Sequence, residues 1–305
     1  MGAGLEKGAL GGAVAGAGRL LIVGGDSQIG SAILRQLRDL NEDSCATTRD
    51  AAHVGPNRPF LDLAAPLEDW QPPAGTRAAC VLAGVSRLMD CQTDPAGSAF
   101  INVTQMLRLI EKLTARGIYV AFLSTDKVFD GSRPAVPADA LPCPMSEYGR
   151  QNARVEARLR GMIGSGAPVA ILRVAKVLAP GMPLLRGWAE RLAAGQSIEA
   201  VDDMVMAPVP IALAAAAIRA LLAQAEPGIF QLSGPRDITY AQAAGYIAER
   251  VGAAPSLVRT TSARALALPE GAAPRHTTLD SSAMVARLGI TVGDPWTIID
   301  DVIRK

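Results

Sequence analysis

Residues 20–37 read LLIVGGDSQIGSAILRQL, and this stretch decides the fold that we predict. Four apolar residues predict a short buried strand, a glycine turn follows, and apolar residues then recur at helical spacing. Gly24 permits a tight turn, Gly30 lets the helix approach the strand, and the helix N-terminus would face a pyrophosphate. Ser27 departs from the pattern, since it occupies the middle glycine position of a GxxGxxG motif. We predict a dinucleotide-binding turn, with a purely structural turn as the alternative. The residues predicted to contact the dinucleotide are Gly24, Ser27, Gln28, Ile29 and Gly30.

Short apolar runs alternate with helical patterns along most of the chain. After the first strand, apolar runs recur at residues 44–47, 60–63, 79–84, 118–123, 169–174 and 228–234. Asp94 and Pro95 predict the start of a helix, because aspartate caps a helix and proline suits its first turn; its apolar positions continue to about Arg116. The alternation predicts an α/β fold with a Rossmann-like, doubly wound parallel sheet.

The domain organisation that we predict has two parts and an N-terminal tail. Residues 1–18 are rich in glycine and alanine, and we expect them to be disordered. Residues 19–177 are predicted to form the cofactor-binding domain, and residues 207–239 return to it. Residues 178–206 and 240–305 are predicted to form a smaller, mixed α/β substrate domain, in which the segment 241–305 is mostly helical.

The end of the second predicted strand bears on the choice of cofactor. Thr48 and Arg49 stand there instead of an acid. A carboxylate at this position would bind the ribose 2′-hydroxyl of NAD and repel a 2′-phosphate, whereas an arginine would attract the phosphate. We therefore predict NADP in preference to NAD; the alternative is that Arg49 is a solvated loop residue. Further predicted cofactor contacts at the following strand ends are Asp62, Leu63, Ala83 and Gly84.

Composition excludes several other classes of protein. Lysine and arginine number 30 against 29 aspartates and glutamates, so no charge imbalance favours nucleic acid or an anionic membrane surface. The four cysteines form no CxxC pair, and the two histidines, His53 and His276, lie far apart, so we predict no metal site. The apolar run 213–225 is too short to span a bilayer. We expect a cytoplasmic protein.

Residues 123–131, LSTDKVFDG, carry the polar groups most suited to catalysis. An apolar strand ends there in hydroxyl, acid and base, and Tyr148 follows on the next predicted helix. The hydroxyls of Thr125 and Tyr148 suit a site that handles a proton on a carbonyl or alcohol oxygen. Asn152 lies four residues after the tyrosine, one helical turn further on.

These residues resemble the extended short-chain dehydrogenase/reductase superfamily, and within it the dTDP-4-dehydrorhamnose reductase-like branch. STDKVFDG, residues 124–131, is similar to the branch's STDYVFDG, and Tyr148-Gly149-Arg150 is similar to the start of its YGxxK helix. The resemblance extends roughly from Arg19 to the C-terminus. It implies NADP or NAD in the N-terminal domain and a nucleotide sugar in the smaller one. It also implies that Thr125 binds the substrate oxygen and that Tyr148 donates a proton when a ketone is reduced.

The branch's lysine, which stabilises the tyrosinate and holds the nicotinamide ribose, is replaced here by Asn152. An amide brings no charge, so the tyrosine should be a weaker acid. Lys127 and Lys176, both expected at strand ends, are candidate substitutes.

The leading hypothesis is an NADP-dependent reductase of a nucleotide-linked keto sugar. The alternatives are a weakly active or inactive NADP-binding or regulatory homologue, and a nucleotide-sugar epimerase or dehydratase. The resemblance is compatible with a homodimer.

Overall fold

A sheet of six parallel strands organises the fold in the computed structural model, which describes residues 18–304. Apart from Gly18, the predicted N-terminal tail lies outside the described residues. The strands of this sheet, in spatial order, are β2 (Ser44–Ala46), β1 (Arg19–Val23), β3 (Thr76–Val81), β4 (Tyr119–Thr125), β5 (Val169–Val174) and β10 (Gly228–Leu232). The predicted Rossmann-like parallel sheet is confirmed.

Helices and shorter strands complete the chain. The helices are α1 (Gln28–Asp39), α2 (Leu88–Thr93), α3 (Pro95–Ala99), α4 (Met106–Thr114), α5 (Glu147–Gly164), α6 (Pro183–Ala193), α7 (Ile211–Gln224), α8 (Tyr240–Arg250), α9 (Ser282–Leu288) and α10 (Pro295–Ile303). A π-helical segment, Phe100–Gln105, joins α3 to α4. The remaining strands are β6 (Val177–Leu178), β7 (Ile198–Val201), β8 (Val205–Met206), β9 (Val209–Pro210), β11 (Ile238–Thr239) and β12 (Val258–Thr261).

Both faces of the six-stranded sheet are buried. Leu20 and Ile22 point to the face covered by α1 and α7, while Leu21 and Val23 point to the face covered by α4 and α5. Successive residues of a strand face opposite sides, so a strand buried on both faces is apolar throughout, as LLIV is. In register, Ile22 lies opposite Ala46 of β2 and Cys80 of β3. The carboxyl ends of the strands therefore meet at one edge.

The predicted strand at residues 60–63 is wrong. In the described chain this segment makes only one parallel bridge, between Phe60 and Thr48. Pro59 lacks a backbone donor, and Asp62 turns the chain, because its carboxylate accepts a hydrogen bond from the Ala64 amide at 2.9 Å. The backbone is thus diverted before a ladder can form.

The expectation that residues 241–305 are mostly helical is also wrong. Helices α8, α9 and α10 are separated by strand β12, which pairs in parallel with β7, and by a long turn-rich segment, residues 262–281. Pro269, Gly271 and Pro274 interrupt any helix in that segment. Helices α8 and α10 pack against each other and against α6, whereas α9 packs against β10 of the six-stranded sheet and against α7. The description of this part as a separate substrate domain remains a prediction.

A buried ion pair fixes α5 against the sheet. Arg173 of β5 donates to Glu156 of α5 through Nη2 at 2.7 Å and Nε at 3.0 Å, and neither side chain is exposed. Ser124 of β4 donates to the same carboxylate at 2.6 Å. Arg173 also donates to the Gln231 side chain of β10 at 2.9 Å, and its guanidinium lies 4.7 Å from the centre of the Phe129 ring. Three strands and one helix are joined by this network.

Candidate active site

A cavity of about 470 Å³ opens at the carboxyl ends of β1, β3, β4 and β5. Its walls come from the glycine turn, the segment after β3, the end of β4, helix α5 and the segment after β5. Among the residues proposed from the sequence, the cavity is lined by Ser27, Gln28, Ile29, Ala83, Gly84, Thr125, Lys127, Tyr148, Asn152 and Lys176. The fold therefore brings the predicted cofactor turn and the predicted catalytic residues to one site.

The glycine turn is as tight as its sequence predicts. A Cβ on Gly30 would lie 2.4 Å from the Gly24 carbonyl oxygen, so only glycine fits without displacing backbone. Gly24 has φ of +97°, and its amide donates to the Thr47 hydroxyl at 3.0 Å. Gly24 and Gly30 thus shape the turn and do not line the cavity.

Ser27 fits the middle position of the turn by capping α1. Its hydroxyl oxygen accepts a hydrogen bond from the Gly30 amide at 3.0 Å, which satisfies one of the unpaired donors of the first helical turn. The hydroxyl proton is not used in that bond, and Ser27 lines the cavity. Serine here keeps the helix start intact and adds a donor beside the place where a phosphate would bind.

The four remaining predicted cofactor residues lie outside the cavity lining, in two different places. Thr48 is buried and Arg49 is exposed at the end of β2, outside the cavity lining. Asp62 and Leu63 do not reach the cavity either, because Leu63 packs in the core and Asp62 bonds to its own turn. A role for Asp62 or Leu63 in binding adenine remains a prediction that this geometry does not support.

Asn102 is a site residue whose importance the sequence did not reveal. Its amide oxygen accepts from the Val85 amide and its Nδ2 donates to the Val85 carbonyl, both at 2.8 Å. It also donates to Gln151 of α5 at 2.8 Å. The buried asparagine lines the cavity and fixes the segment after β3. A lone polar residue on an apolar helix was its only signal in the sequence.

Gly84→Ala is expected to destabilise the fold by about 1 to 3 kcal/mol, because the backbone conformation of Gly84 is strained for other residues. Its φ is +149°, and an added Cβ would lie 2.8 Å from Asn102 Oδ1. Chemical denaturation measures the loss of stability. Gly161→Ala is the control, since Gly161 lies in α5 with open space around it. A Gly84→Ala variant as stable as wild type would contradict this account of the segment.

Tyr148 lies in the first turn of α5, directed to the site by the start of this helix. The Ser146 hydroxyl caps α5 by accepting from the Gly149 amide at 3.1 Å. A Cβ on Gly149 would lie 2.1 Å from the Lys127 carbonyl oxygen, so glycine allows the helix to approach the segment after β4. One turn later, Asn152 donates to the Tyr148 carbonyl at 2.9 Å. The predicted Thr125, Tyr148 and Asn152 therefore converge.

The phenol of Tyr148 is held in its protonated form. Burial raises its pKa to about 12, and the negative charges of Asp126 and Cys91 raise it as well, while hydrogen bonds with Asn152 and Thr125 lower it. No cation is among these influences. Lys127 and Lys176 line the cavity, and they lower the pKa of the Asp126 carboxyl.

Asp126 is a second titratable group beside the tyrosine. Burial raises the pKa of this carboxyl. The pKa is lowered by Lys127, by a hydrogen bond from Thr125 at 3.1 Å and by Lys176. Burial lowers the pKa of Lys176, and Lys127 lowers it further, whereas Asp126 raises it. The three charged groups form a cluster at the ends of β4 and β5. In this cluster the two lysines offset the charge of the acid, and their role as substitutes for a lysine at position 152 remains a prediction.

Neither a membrane-spanning helix nor a metal-binding cluster is found among residues 18–304. No helix in this range is both long and apolar enough to cross a bilayer. No cluster of three or more histidine, cysteine, aspartate or glutamate side chains in this part of the chain is arranged to hold a metal ion.

The fold and site together define the class of extended short-chain dehydrogenase/reductase-like proteins: a Rossmann-like sheet with a glycine turn and a threonine–tyrosine pair at its carboxyl edge. Comparison with protein families gives the particular group. The RmlD substrate binding domain family matches residues 18–302, so the chain belongs to that family. The resemblance inferred from the sequence is therefore confirmed.

Individual relatives agree with this assignment. A dTDP-4-keto-6-deoxy-D-glucose reductase of Streptomyces niveus is 26% identical over 281 residues, covering 92% of this chain and 94% of the relative. The methionine adenosyltransferase 2 subunit beta of Xenopus tropicalis is 28% identical over 101 residues, covering 33% of this chain and 27% of the relative. A crystal structure of the dTDP-4-dehydrorhamnose reductase of Bacillus anthracis in complex with NADP has a TM-score of 0.76 at 16% identity, covering 94% of this chain and 99% of the other.

Proposed function

We propose that this protein is an NADP-dependent reductase of a nucleotide-linked keto sugar. The observation that carries the proposal is that Thr125 and Tyr148 line one cavity with a tight dinucleotide-type turn. Support for the cofactor comes from the tight glycine turn before α1 and from Gly84, where a side chain would occupy the space beside Asn102. Support for the substrate comes from the dTDP-sugar reductase among the relatives. Arg49 at the end of β2 favours the 2′-phosphate of NADP.

In this proposal a bound NADPH supplies the hydride. The start of α1 and the Ser27 hydroxyl bind the pyrophosphate, and Gly84 permits close approach of the cofactor to the backbone. Thr125 donates a hydrogen bond to the carbonyl oxygen of the substrate and orients it. Tyr148 transfers its phenol proton to that oxygen as negative charge develops there. Because the Tyr148 pKa is about 12, the proton is present throughout the neutral range.

A second candidate function is a nucleotide-binding regulatory protein with little or no turnover. It is favoured by Asn152 at the position of the branch's lysine and by the largest influences on the Tyr148 pKa, which include no cation to stabilise the tyrosinate formed by proton transfer. One relative is by name a subunit, the methionine adenosyltransferase 2 subunit beta. This alternative shares cofactor binding with the reductase and differs in turnover.

Titration of the purified protein with NADPH and with NADH tests the first step. No binding of either cofactor would eliminate both functions. If NADPH binds, its oxidation is then followed with a panel of nucleotide-linked 4-keto sugars. Turnover with any of them supports the reductase, and binding without turnover across the panel supports the regulatory protein.

Asn152→Lys is expected to lower the pKa of Tyr148 and to raise kcat by roughly tenfold, because an ammonium group stabilises the developing tyrosinate. A proton donor loses activity as pH rises through its pKa. The alkaline limb of the rate profile, near pH 12 for the wild-type phenol, should therefore move to lower pH in the variant. The pH dependence of kcat/KM, which reports the free enzyme, and ultraviolet absorbance of tyrosinate measure the change. Asn152→Gln, which adds no charge, is the control. An unshifted profile in the lysine variant would contradict this account of position 152.

A further inference from the structure

Asp26 lies in the glycine turn, but its carboxylate reaches the end of the neighbouring strand. The Thr48 hydroxyl, at the end of β2, donates to Asp26 Oδ2 at 2.8 Å. The same hydroxyl oxygen accepts from the Asp50 amide at 3.0 Å, so its orientation is fixed. Besides Asp50, which follows β2 and bonds to His53 through its carboxylate, a second acid is therefore present at the end of this strand. Its source is the turn that precedes α1.

Arg58 is brought to the same place by a tight turn, residues 55–58. Gly55 and Arg58 exchange two backbone hydrogen bonds at 2.9 and 3.0 Å, and the Ala46 amide of β2 donates to the Asn57 carbonyl at 3.0 Å. The turn is thereby attached to β2. From it, Arg58 Nη2 donates to Asp26 Oδ1 in an ion pair. Arg58 Nε is buried and has no hydrogen-bond partner in the described part of the chain.

The position of this ion pair matters because the adenosine ribose of a dinucleotide lies at the end of β2 in Rossmann-like sheets. A carboxylate there accepts a hydrogen bond from a free 2′-hydroxyl and repels a 2′-phosphate. A guanidinium does the reverse, since it binds phosphate through several donors. Asp26 and Arg58 are each partly exposed, so both charges are accessible to a ligand at this strand end. The pair therefore holds one group suited to each cofactor.

We propose that Asp26 and Arg58 are opposed specificity determinants whose balance sets the preference between NADP and NAD. The inference rests on the proposed function in that it requires a dinucleotide to bind. Asp26 favours the 2′-hydroxyl, Arg58 favours the 2′-phosphate, and each partly neutralises the other. Arg49 adds a positive charge at the same strand end, but its side chain is exposed. Asp26 and Arg58 do not fix its position, because neither forms a hydrogen bond or an ion pair with it. The wild-type preference for NADPH should accordingly be modest.

Two single substitutions test the balance by moving the preference in opposite directions. Asp26→Asn keeps an acceptor for Thr48 but removes the charge, and it should raise the ratio of NADPH to NADH affinity by about tenfold, the size expected of one charge contact at a partly exposed site. Arg58→Gln frees the carboxylate and should lower the ratio by about tenfold. The double variant should return toward the wild-type ratio.

The measurement is the dissociation constant of each cofactor, determined separately by fluorescence titration for every variant. The matched controls are Asp43→Asn and Arg19→Gln. Arg19 and Asp43 form a similar, partly exposed pair, at 3.1 Å, at the amino ends of β1 and β2, which is the edge of the sheet away from Asp26 and Arg58. The control variants should keep the wild-type ratio. Thermal unfolding of each variant verifies that it is folded.

The outcomes separate this inference from the proposed function. If the wild-type protein binds neither cofactor, the proposed function is overturned and this inference with it. If it binds a cofactor but both variants keep the wild-type ratio, or both move it in the same direction, only the inference is overturned. Opposite shifts, absent from the controls, support it.

Discussion

Tyr148→Phe is expected to lower kcat for reduction of a nucleotide-linked keto sugar by about 10³-fold, the contribution typical of a positioned general acid. Phenylalanine preserves the ring in its half-buried position and removes only the hydroxyl that faces Thr125 and Asn152. Thr125 can still orient the substrate oxygen, but the proposed acid is removed. Steady-state oxidation of NADPH with the best substrate of the panel measures the loss.

Cofactor affinity separates a catalytic role of Tyr148 from a structural one. The dissociation constant of NADPH should stay within about twofold of wild type in Tyr148→Phe, because the proposed pyrophosphate site, at the start of α1, does not include Tyr148. Tyr119→Phe is the matched control: it removes another buried phenol, whose hydroxyl donates to the Glu226 carbonyl at 2.9 Å at the amino end of β4. It should lose only stability, about 1 kcal/mol. Undiminished turnover in Tyr148→Phe would remove the tyrosine as the acid.

Glu156→Gln is expected to lower the free energy of unfolding by about 3 to 5 kcal/mol, since it leaves the Arg173 charge buried without a counter-ion. Both side chains are fully buried, so solvent cannot compensate. The substitution keeps the volume of the side chain and can still accept from Ser124. The loss therefore reports the charge and not a cavity. Chemical denaturation measures it.

An exposed ion pair on the same helix provides the comparison. Arg158 of α5 contacts Glu111 of α4 at 2.8 Å, and both side chains are well exposed. Glu111→Gln should cost less than about 1 kcal/mol, because solvent screens the pair. Equal effects of the two substitutions would mean that burial of the Glu156–Arg173 pair does not determine its contribution. A large difference would identify the pair as the main attachment of α5 to the sheet.

The parts of the structure that follow from local sequence could be predicted. Residues 20–30 specify a strand, turn and helix by themselves, and STDKVFDG with Tyr148 specify the catalytic edge once the strands are parallel. The strand proposed at residues 60–63 failed because Pro59 and the Asp62 turn outweigh a short apolar run. A charged residue within the apolar strand VAILRV, residues 169–174, could have signalled a buried partner for Arg173.

Other features depend on contacts between distant segments and leave no local signal. Asp26 meets Arg58 only because the turn 55–58 folds back along β2, and the pair is 32 residues apart. Asp126 was visible as an acid beside Thr125, but its burial near Tyr148 depends on how α5 approaches the segment after β4. Spacing along the chain does not encode these approaches. They define most of the chemistry at the site.

The edge strand β10 has a consequence for how the nascent chain folds. Gln231 of β10 donates to the carbonyls of Val136 at 2.7 Å and Asp280 at 3.1 Å, and Ser233 accepts from the Leu279 amide at 2.9 Å. A ribosome must therefore synthesise residues 279–280 before this edge of the sheet can satisfy its buried polar groups. Such long-range contacts slow folding. The first strand of the sheet in sequence is β1, and we expect the sheet to be completed only after residues 279–280 have left the ribosome.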